Sequence, residues 1–422
     1  MTELKRSLSF WQLTVMSVGI ILGAGIYVVI GEAAGLSGNC IWVSFIIAAV
    51  VAALTAFSYA ELSSRFPKAG AEYVYVENSF GNRMAWLVAW LLLAGSVIGG
   101  ATVAMGFSQY FSAIFHTPVI LVAIILLTII GIILIIGVQE TAKITIVFTA
   151  IEITGLVIVI FIGLPALGSV NYLEAAQGIK GVIEAGVLIF FGYLGFEGIT
   201  RLAEETKDPE KSIPKAIMYS MVITTILYVL VGISAVSVIP WQELSTAQAP
   251  LALVAERVFG EQSFLILSVI ALFSTFNTAL MFLLTGSRLL YGVGQQEAIP
   301  KIFTMVGNRF RTPWVAILFI IVAAILFLFL GDLKTIANLT NFTVFSVFIV
   351  INASVIYFRY KKPIATGFKV PFHIGRFPVL PFLGMITSLF MIANLTLDVL
   401  LFGVVLIIIG VLVDTILNLK YK

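Results

Sequence analysis

Long apolar runs alternate with short polar breaks along the whole chain. Taken as stretches of about 20 apolar residues, the length that crosses a bilayer, they fall at roughly 10–35, 39–62, 84–112, 118–138, 142–164, 180–202, 213–239, 262–292, 314–331, 335–358, 378–396 and 398–418. Two of these twelve runs are interrupted by glycine deep inside. The first holds Gly23-Ala24-Gly25-Ile26-Tyr27 and the sixth Phe191-Gly192-Tyr193-Leu194-Gly195-Phe196-Glu197-Gly198. An unwound stretch leaves backbone N–H and C=O groups unpaired. In lipid that costs several kcal/mol per group, so such a break has to face protein, water or a ligand.

The two breaks sit at matching places. Spans 1–5 (about 10–164) and spans 6–10 (about 180–358) read as two copies, each opening on a broken helix. An odd number of spans per copy inverts the second against the first, and a substrate site at mid-membrane is the usual consequence. The match is one of position, since the residues themselves are not repeated. The expectation is an all-α membrane protein with a 5+5 inverted repeat and twelve transmembrane helices. Residues 1–358 form its core; residues 359–422 add spans 11 and 12 and a tail. The stretch 240–260, with Trp241, Leu244, Leu251 and Val254, predicts short amphipathic helices over the outer mouth.

Composition agrees: 60% of the 422 residues are hydrophobic and 11% charged. The net charge of +3 suggests nucleic acid until its placement is read. With the N-terminus inside, outer loops hold only Lys180, Arg257 and Lys334, and the other 21 of the 24 Lys and Arg lie on the inner side. That asymmetry predicts both termini in the cytoplasm and a multi-pass protein of the cell membrane surrounded by lipid, not a nucleic-acid partner. One missed span would invert every later loop, so the count is supported too. The start, Met1 to Phe10, is short and polar, and the apolar run behind it has no small-residue cleavage site, so no signal peptide is expected. The single Cys40 excludes an intramolecular disulfide. With two His and one Cys, a metal centre built from these ligands is not expected, and no cofactor is either.

Half-helix ends suggest what the breaks bind. An N-terminal end offers free N–H groups and partial positive charge, and a C-terminal end offers free carbonyls and partial negative charge. A zwitterion complements both. Its carboxylate would lie on amides near Ala24, Gly25 and Ile26, beside Gly23, and its ammonium on carbonyls near Ile21, Phe191 and Leu194. The neighbours, including Phe190, are mostly apolar, which suits an apolar side chain. Small residues also serve close helix packing, so either break alone is weak.

Ionisable groups inside a membrane are functional candidates. Glu152 lies about ten residues from either end of span 5, roughly 15 Å from each face at 1.5 Å per residue. At that depth it can exist protonated, or it is a structural Glu bonded to a neighbouring helix. Ser274, Thr275 and Asn277 of span 8 are polar groups on an apolar helix that could hold a cation or the Glu152 side chain, or bond only to backbone. Glu197 lies one turn before Arg201, which predicts a structural i,i+4 pair. Residues 203–217 read as a polar turn with Ser212 as N-cap and Pro214 in the first helical turn.

Together these segments resemble the amino acid–polyamine–organocation transporter superfamily, closest to prokaryotic permeases of the cationic-amino-acid-transporter-like group. Gly23-Ala24-Gly25-Ile26-Tyr27 matches the family's G-S/A-G-I-F break. Phe190 to Glu197 matches its span 6 motif, Glu204 to Ile217 its inner loop, and Ser287-Arg288-Leu289-Leu290-Tyr291 with Ile299-Pro300 the end of its span 8. Pro67-Lys68-Ala69-Gly70-Ala71-Glu72-Tyr73 resembles P-x-A-G-G-x-Y, with Ala71 where glycine is usual. The likeness covers spans 1–10, and spans 11–12 by topology alone. It implies a LeuT-like fold and proton- or sodium-linked amino acid transport. By position it puts Phe191 and Phe282 beside the substrate and Asn277 near Glu152. Some relatives have a lysine where Glu152 stands, and a glutamate cannot replace a cation as that ammonium does.

The reading is a secondary active transporter of L-amino acids working by alternating access. Neutral substrates and proton coupling are favoured. A cationic amino acid or polyamine, or sodium coupling, is the alternative. A channel would need a polar path with a filter motif, which the sequence lacks. An enzyme would need a nucleophile with its base, and the two histidines, His116 and His373, lie outside the span centres.

Overall fold

The computed structural model describes residues 4, 6–247, 249–329, 333–361 and 367–421. Span 1 (Phe10–Ser37) opens on a capping box in which Ser9 and Gln12 bond each other's backbone N–H. Its backbone leaves helical geometry at Gly23 (φ −41°, ψ −124°). Spans 2 to 5 are Ile41–Arg65, Asn82–Phe115, Val119–Ile136 and Val138–Gly163. Span 6 is α-helical over Gly178–Ile189, passes through a 3-10 turn at Phe190–Tyr193, and resumes as a 3-10 helix over Gly198–Glu205. Between the two 3-10 pieces Leu194 is extended and Gly195 has φ +114°, a conformation that favours glycine.

Spans 7 and 8 are Pro209–Val238 and Glu261–Gln295, joined by two short helices, Trp241–Thr246 and Pro250–Phe259, where the sequence predicts them. Span 10 is Leu333–Lys361 and span 12 Leu397–Tyr421. Ten helices among the described residues are long and apolar enough to cross a membrane. The helices at the places of spans 9 and 11, Trp314–Phe327 and Val379–Ala393, are shorter, at 14 and 15 residues. A two-stranded hairpin, β1 (His373–Ile374) and β2 (Phe377–Pro378), precedes span 11. A ten-residue helix at Ala71–Phe80, between spans 2 and 3, has no counterpart in the hydropathy pattern.

Span 1 packs on span 6, span 2 on span 7, span 3 on span 8 and span 4 on span 9. The contact of span 3 with span 10 has its counterpart in that of span 8 with span 5. A two-fold relation between the halves would produce this pattern. The apolar side chains are distributed for lipid. Ile125, Ile129 and Ile132 of span 4, and Val404, Ile408 and Leu412 of span 12, are exposed, a surface untenable in water. The interior is mostly apolar as well, with buried serines, threonines, asparagines and charged groups interspersed.

One face of the bundle is tied by polar contacts. Ser7 and Leu8 donate to the Glu205 carbonyl at 2.9 Å, and Lys207 N–H donates back to Leu8. Arg288 makes a two-pronged pair with Glu205 at 3.1 Å. The expected Glu197–Arg201 pair is corrected here. Arg201 bonds instead to both oxygens of Glu72, at 2.8–3.1 Å, on the ten-residue helix between spans 2 and 3. The cause is the winding of span 6. At three residues per turn, residue i+4 lies a third of a turn round, so Arg201 is not stacked over Glu197 as it would be in an α-helix. Both partners are buried, and removing one strands the other charge. Arg201→Ala or Glu72→Ala is therefore expected to cost about 3–5 kcal/mol, read as a drop in melting temperature in detergent. Glu197→Gln keeps its acceptor and is expected to leave that temperature near the parent value. Equal losses from all three would restore the i,i+4 assignment.

Candidate functional site

The two breaks meet at the middle of the bundle. A Cβ on Gly25 would lie 2.0 Å from the Cα of Gly192, backbone against backbone. Nothing there can rotate aside, so only glycine fits. Above this crossing stands Tyr228 of span 7, fully buried. Its hydroxyl contacts the carbonyl of Ile21 and lies 2.9 Å from that of Gly192. Asn341 of span 10 donates to the Val187 carbonyl at 2.9 Å. The orphan carbonyls of both broken helices are thus met by side chains from elsewhere. The Ile21 carbonyl, read from sequence as an ammonium acceptor, is already a partner of Tyr228. Phe191 O accepts from Leu194 N–H at 3.3 Å.

The aromatic residues divide. Phe191 and Phe282 stack with centroids 6.2 Å apart and planes 20° apart, so spans 6 and 8 bring these two together. Phe190 turns the other way. It is fully buried on Phe345 (4.3 Å) and Phe348 (5.9 Å) of span 10, so it braces the break from behind. Ile26 and Leu194 are buried at the crossing; the side chain of Ala24 lies outside the described residues. Glu197 accepts from Gly195 N–H at 2.9 Å, which holds the unwound turn. A small cavity of about 10 Å³ is lined by Glu197, Gly195, Phe282, Thr285 and Ile20, about one water in size.

A second polar cluster lies beside the span 1 break. Glu152 is fully buried. Asn277 Nδ2 donates to its Oε1 at 3.1 Å and to Thr149 Oγ1 at 3.2 Å, and the Ser274 hydroxyl stands alongside. Glu152 Oε2 and Asn277 Oδ1 are buried without a hydrogen-bond partner. Tyr27 of span 1 donates to the backbone carbonyl of Glu152 at 3.0 Å, and Tyr110 of span 3 to the carbonyl of Tyr27 at 2.9 Å. A Cβ on Gly23 would fall 1.2 Å from Thr278 Oγ1, so the kink of span 1 rests directly on span 8. Glu152, Ser274 and Asn277 are thus brought together, while the Thr275 hydroxyl donates to the Ala271 carbonyl at 2.8 Å within its own helix, the backbone bonding that the sequence also allowed.

Sequence reasoning missed Tyr228, Asn341, Thr149 and Thr278. The last two had a readable signal, lying one helical turn from Glu152 and Ser274. Tyr228 and Asn341 are single polar side chains in apolar spans, with nothing local to link them to the breaks.

The comparisons with known proteins agree with this architecture. The family model described as "Amino acid permease" matches residues 8–412. The chain is 29% identical to a branched-chain amino acid permease of Bacillus subtilis, over 93% of this chain and 89% of that protein. It is 31% identical to a methylthioribose transporter of the same species, over 90% and 86%. The vacuolar cationic amino acid transporter 4 of Arabidopsis thaliana is 29% identical over 86% of this chain and 64% of its own.

Proposed function

The chain belongs to the amino acid permease family, and from that premise we propose that it carries neutral L-amino acids by alternating access through the crossing of spans 1 and 6. It is a multi-pass membrane transporter rather than an enzyme. The observation that carries the site is the contact of Gly25 on Gly192 with Tyr228 beside both carbonyls. Two helix breaks share one point, so a ligand there touches amides of one and carbonyls of the other. The aromatic pair Phe191 and Phe282 closes the site with apolar surface. The likeness to a branched-chain permease fits that lining.

In this reading residues 1–358 form the inverted-repeat core, supported by the paired packing of spans 1–4 on spans 6–9. The two short helices complete a LeuT-like set of twelve crossings. The placement of Lys and Arg supports both termini in the cytoplasm and a location in the cell membrane. Glu152 is the coupling group. Burying an unpaired carboxylate is costly, and a proton or a cation removes that cost. The proton is preferred, with sodium on Glu152, Asn277 and Ser274 as the rival.

One observation favours a cationic substrate instead. Glu197 lines the small cavity with Phe282 and Arg201, and Arg201 is bonded to Glu72 rather than to Glu197. A carboxylate beside the site would suit arginine or a polyamine. Uptake into proteoliposomes decides between the readings. Leucine and alanine are expected to compete with each other and to accumulate under an imposed pH gradient without sodium. Inhibition by arginine or putrescine, with none by neutral amino acids, would reverse the assignment.

Tyr228→Phe tests the crossing itself. It removes the one O–H proton that the two buried carbonyls share, at about 1–3 kcal/mol. Uptake is expected to fall at least about tenfold, one factor of ten per 1.4 kcal/mol, with the protein still present in the membrane. Unchanged uptake would reduce the phenol to packing.

A further inference from the structure

A second site lies at the edge of the bundle, far in sequence from the breaks. Between the end of span 2, the end of span 10 and the hairpin before span 11 is a cavity of about 310 Å³, within the size range of small-molecule sites. Arg65, Arg359, Lys369, His373 and Arg376 line it, with Glu61 the one carboxylate. Glu61 does not neutralise the set. Its oxygens hold Arg359 Nε and Nη2 at 3.0 and 2.6 Å, and one of them also takes the N–H of Val370 at 2.8 Å. Arg359 and Glu61 therefore form the wall. Lys369 and Arg376 are exposed at the rim, and no carboxylate among the described residues pairs with either.

The cavity is built rather than incidental. Phe368 N–H donates to Ser64 Oγ at 3.2 Å, Arg359 donates to Val370 O, and the Arg65 guanidinium lies 3.9 Å over the Phe358 ring. These contacts fasten the segment after span 10 to the end of span 2.

The hairpin adds the second half of the observation. Phe372 and Ile374 flank His373 and are 73% and 76% exposed. Phe372 is held at φ +58°, a backbone region costly for an aromatic residue, with its ring left in the open. Span 11 starts five residues after Ile374, so this hairpin lies where the chain enters the bilayer. Apolar tips beside basic groups at that level are the chemistry of an interfacial anchor: the tips enter the acyl boundary and the cations meet phosphate.

We infer that this cavity binds the phosphodiester headgroup of an anionic phospholipid. Lys369 and Arg376 take the phosphate by charge-assisted hydrogen bonds, and Phe372 and Ile374 lie against the lipid's chains. A general excess of inner-side Lys and Arg would attract anionic lipid everywhere; it would not require the cavity or the exposed tips.

The test uses the full-length protein, stripped of lipid in detergent and titrated with phosphatidylglycerol, with phosphatidylcholine as the neutral control. Bound lipid is counted by native mass spectrometry. Each basic group is worth about fivefold in affinity for an anionic headgroup. Lys369→Gln with Arg376→Gln is thus expected to lower phosphatidylglycerol binding by about 25-fold and leave phosphatidylcholine unchanged. Lys207→Gln with Lys211→Gln, exposed residues outside the cavity, is expected to lower it less than about twofold. Phe372→Ser with Ile374→Ser is expected to weaken lipid binding, and millimolar inorganic phosphate not to displace it. Equal retention by the parent and the Lys369/Arg376 variant would overturn the site, as would an equal loss in the Lys207/Lys211 variant. Displacement by inorganic phosphate, with no effect of the Phe372/Ile374 variant, would overturn the lipid assignment in favour of a soluble anion.

Discussion

Gly25→Ala is expected to reduce amino acid uptake to background while the protein still inserts and purifies as a single species. The added methyl would sit 2.0 Å from Gly192 Cα, whereas ordinary contacts begin near 3.4 Å. Spans 1 and 6 must then part by more than an ångström at the point where they cross. That separation pulls the Ile21 and Gly192 carbonyls off the single hydroxyl of Tyr228 and moves the amides proposed to face the substrate. A bound geometry displaced by about 1 Å costs on the order of a hundredfold in related site chemistry, and a bulkier Gly25→Leu is worse. Alanine has the better helix propensity, so loss of helix cannot account for the result. Gly307→Ala is the control, because its Cβ would meet nothing nearer than 3.8 Å. Parent-level uptake by Gly25→Ala would remove the crossing as the substrate site.

The second large effect is expected from Glu152→Gln. The amide keeps an oxygen for Asn277 Nδ2, which lies 3.1 Å from Oε1 in the parent, and it has the shape of the neutral carboxyl. Folding and exchange of substrate across the membrane should persist. Accumulation should not. Coupled one to one, a pH gradient of one unit supports about tenfold accumulation, since a factor of ten is about 1.4 kcal/mol. The variant is expected to show about onefold under the same gradient. A sodium requirement that survives collapse of the proton gradient would assign Glu152 and Asn277 to a cation site. A general loss of folded protein would make the residue structural.

The breaks and the buried glutamate were legible because their signals are local. A glycine pair within a twenty-residue apolar run already implies a costly backbone that something must satisfy. A carboxylate ten residues from either end of a span implies depth. The distinction between Phe190 and Phe191 was not legible. One residue along a 3-10 turn rotates the side chain by about 120°, so neighbours in the motif face span 10 and span 8 respectively. The partner of Arg201 was lost for the same reason, because the i,i+4 rule assumes α-helical winding. For Thr275 the sequence left a ligand role and a backbone bond both open, and the hydroxyl donates to its own helix's carbonyl, the commonest partner of a hydroxyl on an apolar helix.

By itself the sequence determined the membrane class, the order of the apolar runs, the two breaks and a mid-membrane carboxylate, since hydropathy, glycine and depth are properties of short windows. Only the tertiary structure decided that Gly25 rests on Gly192, that Tyr228 of span 7 serves both broken helices, and that Glu61 is spent on Arg359 and Val370, leaving a basic cavity open beside it. Each of these is a distance between segments well separated along the chain. Such distances follow from how whole helices pack and wind, which no local pattern of residues encodes.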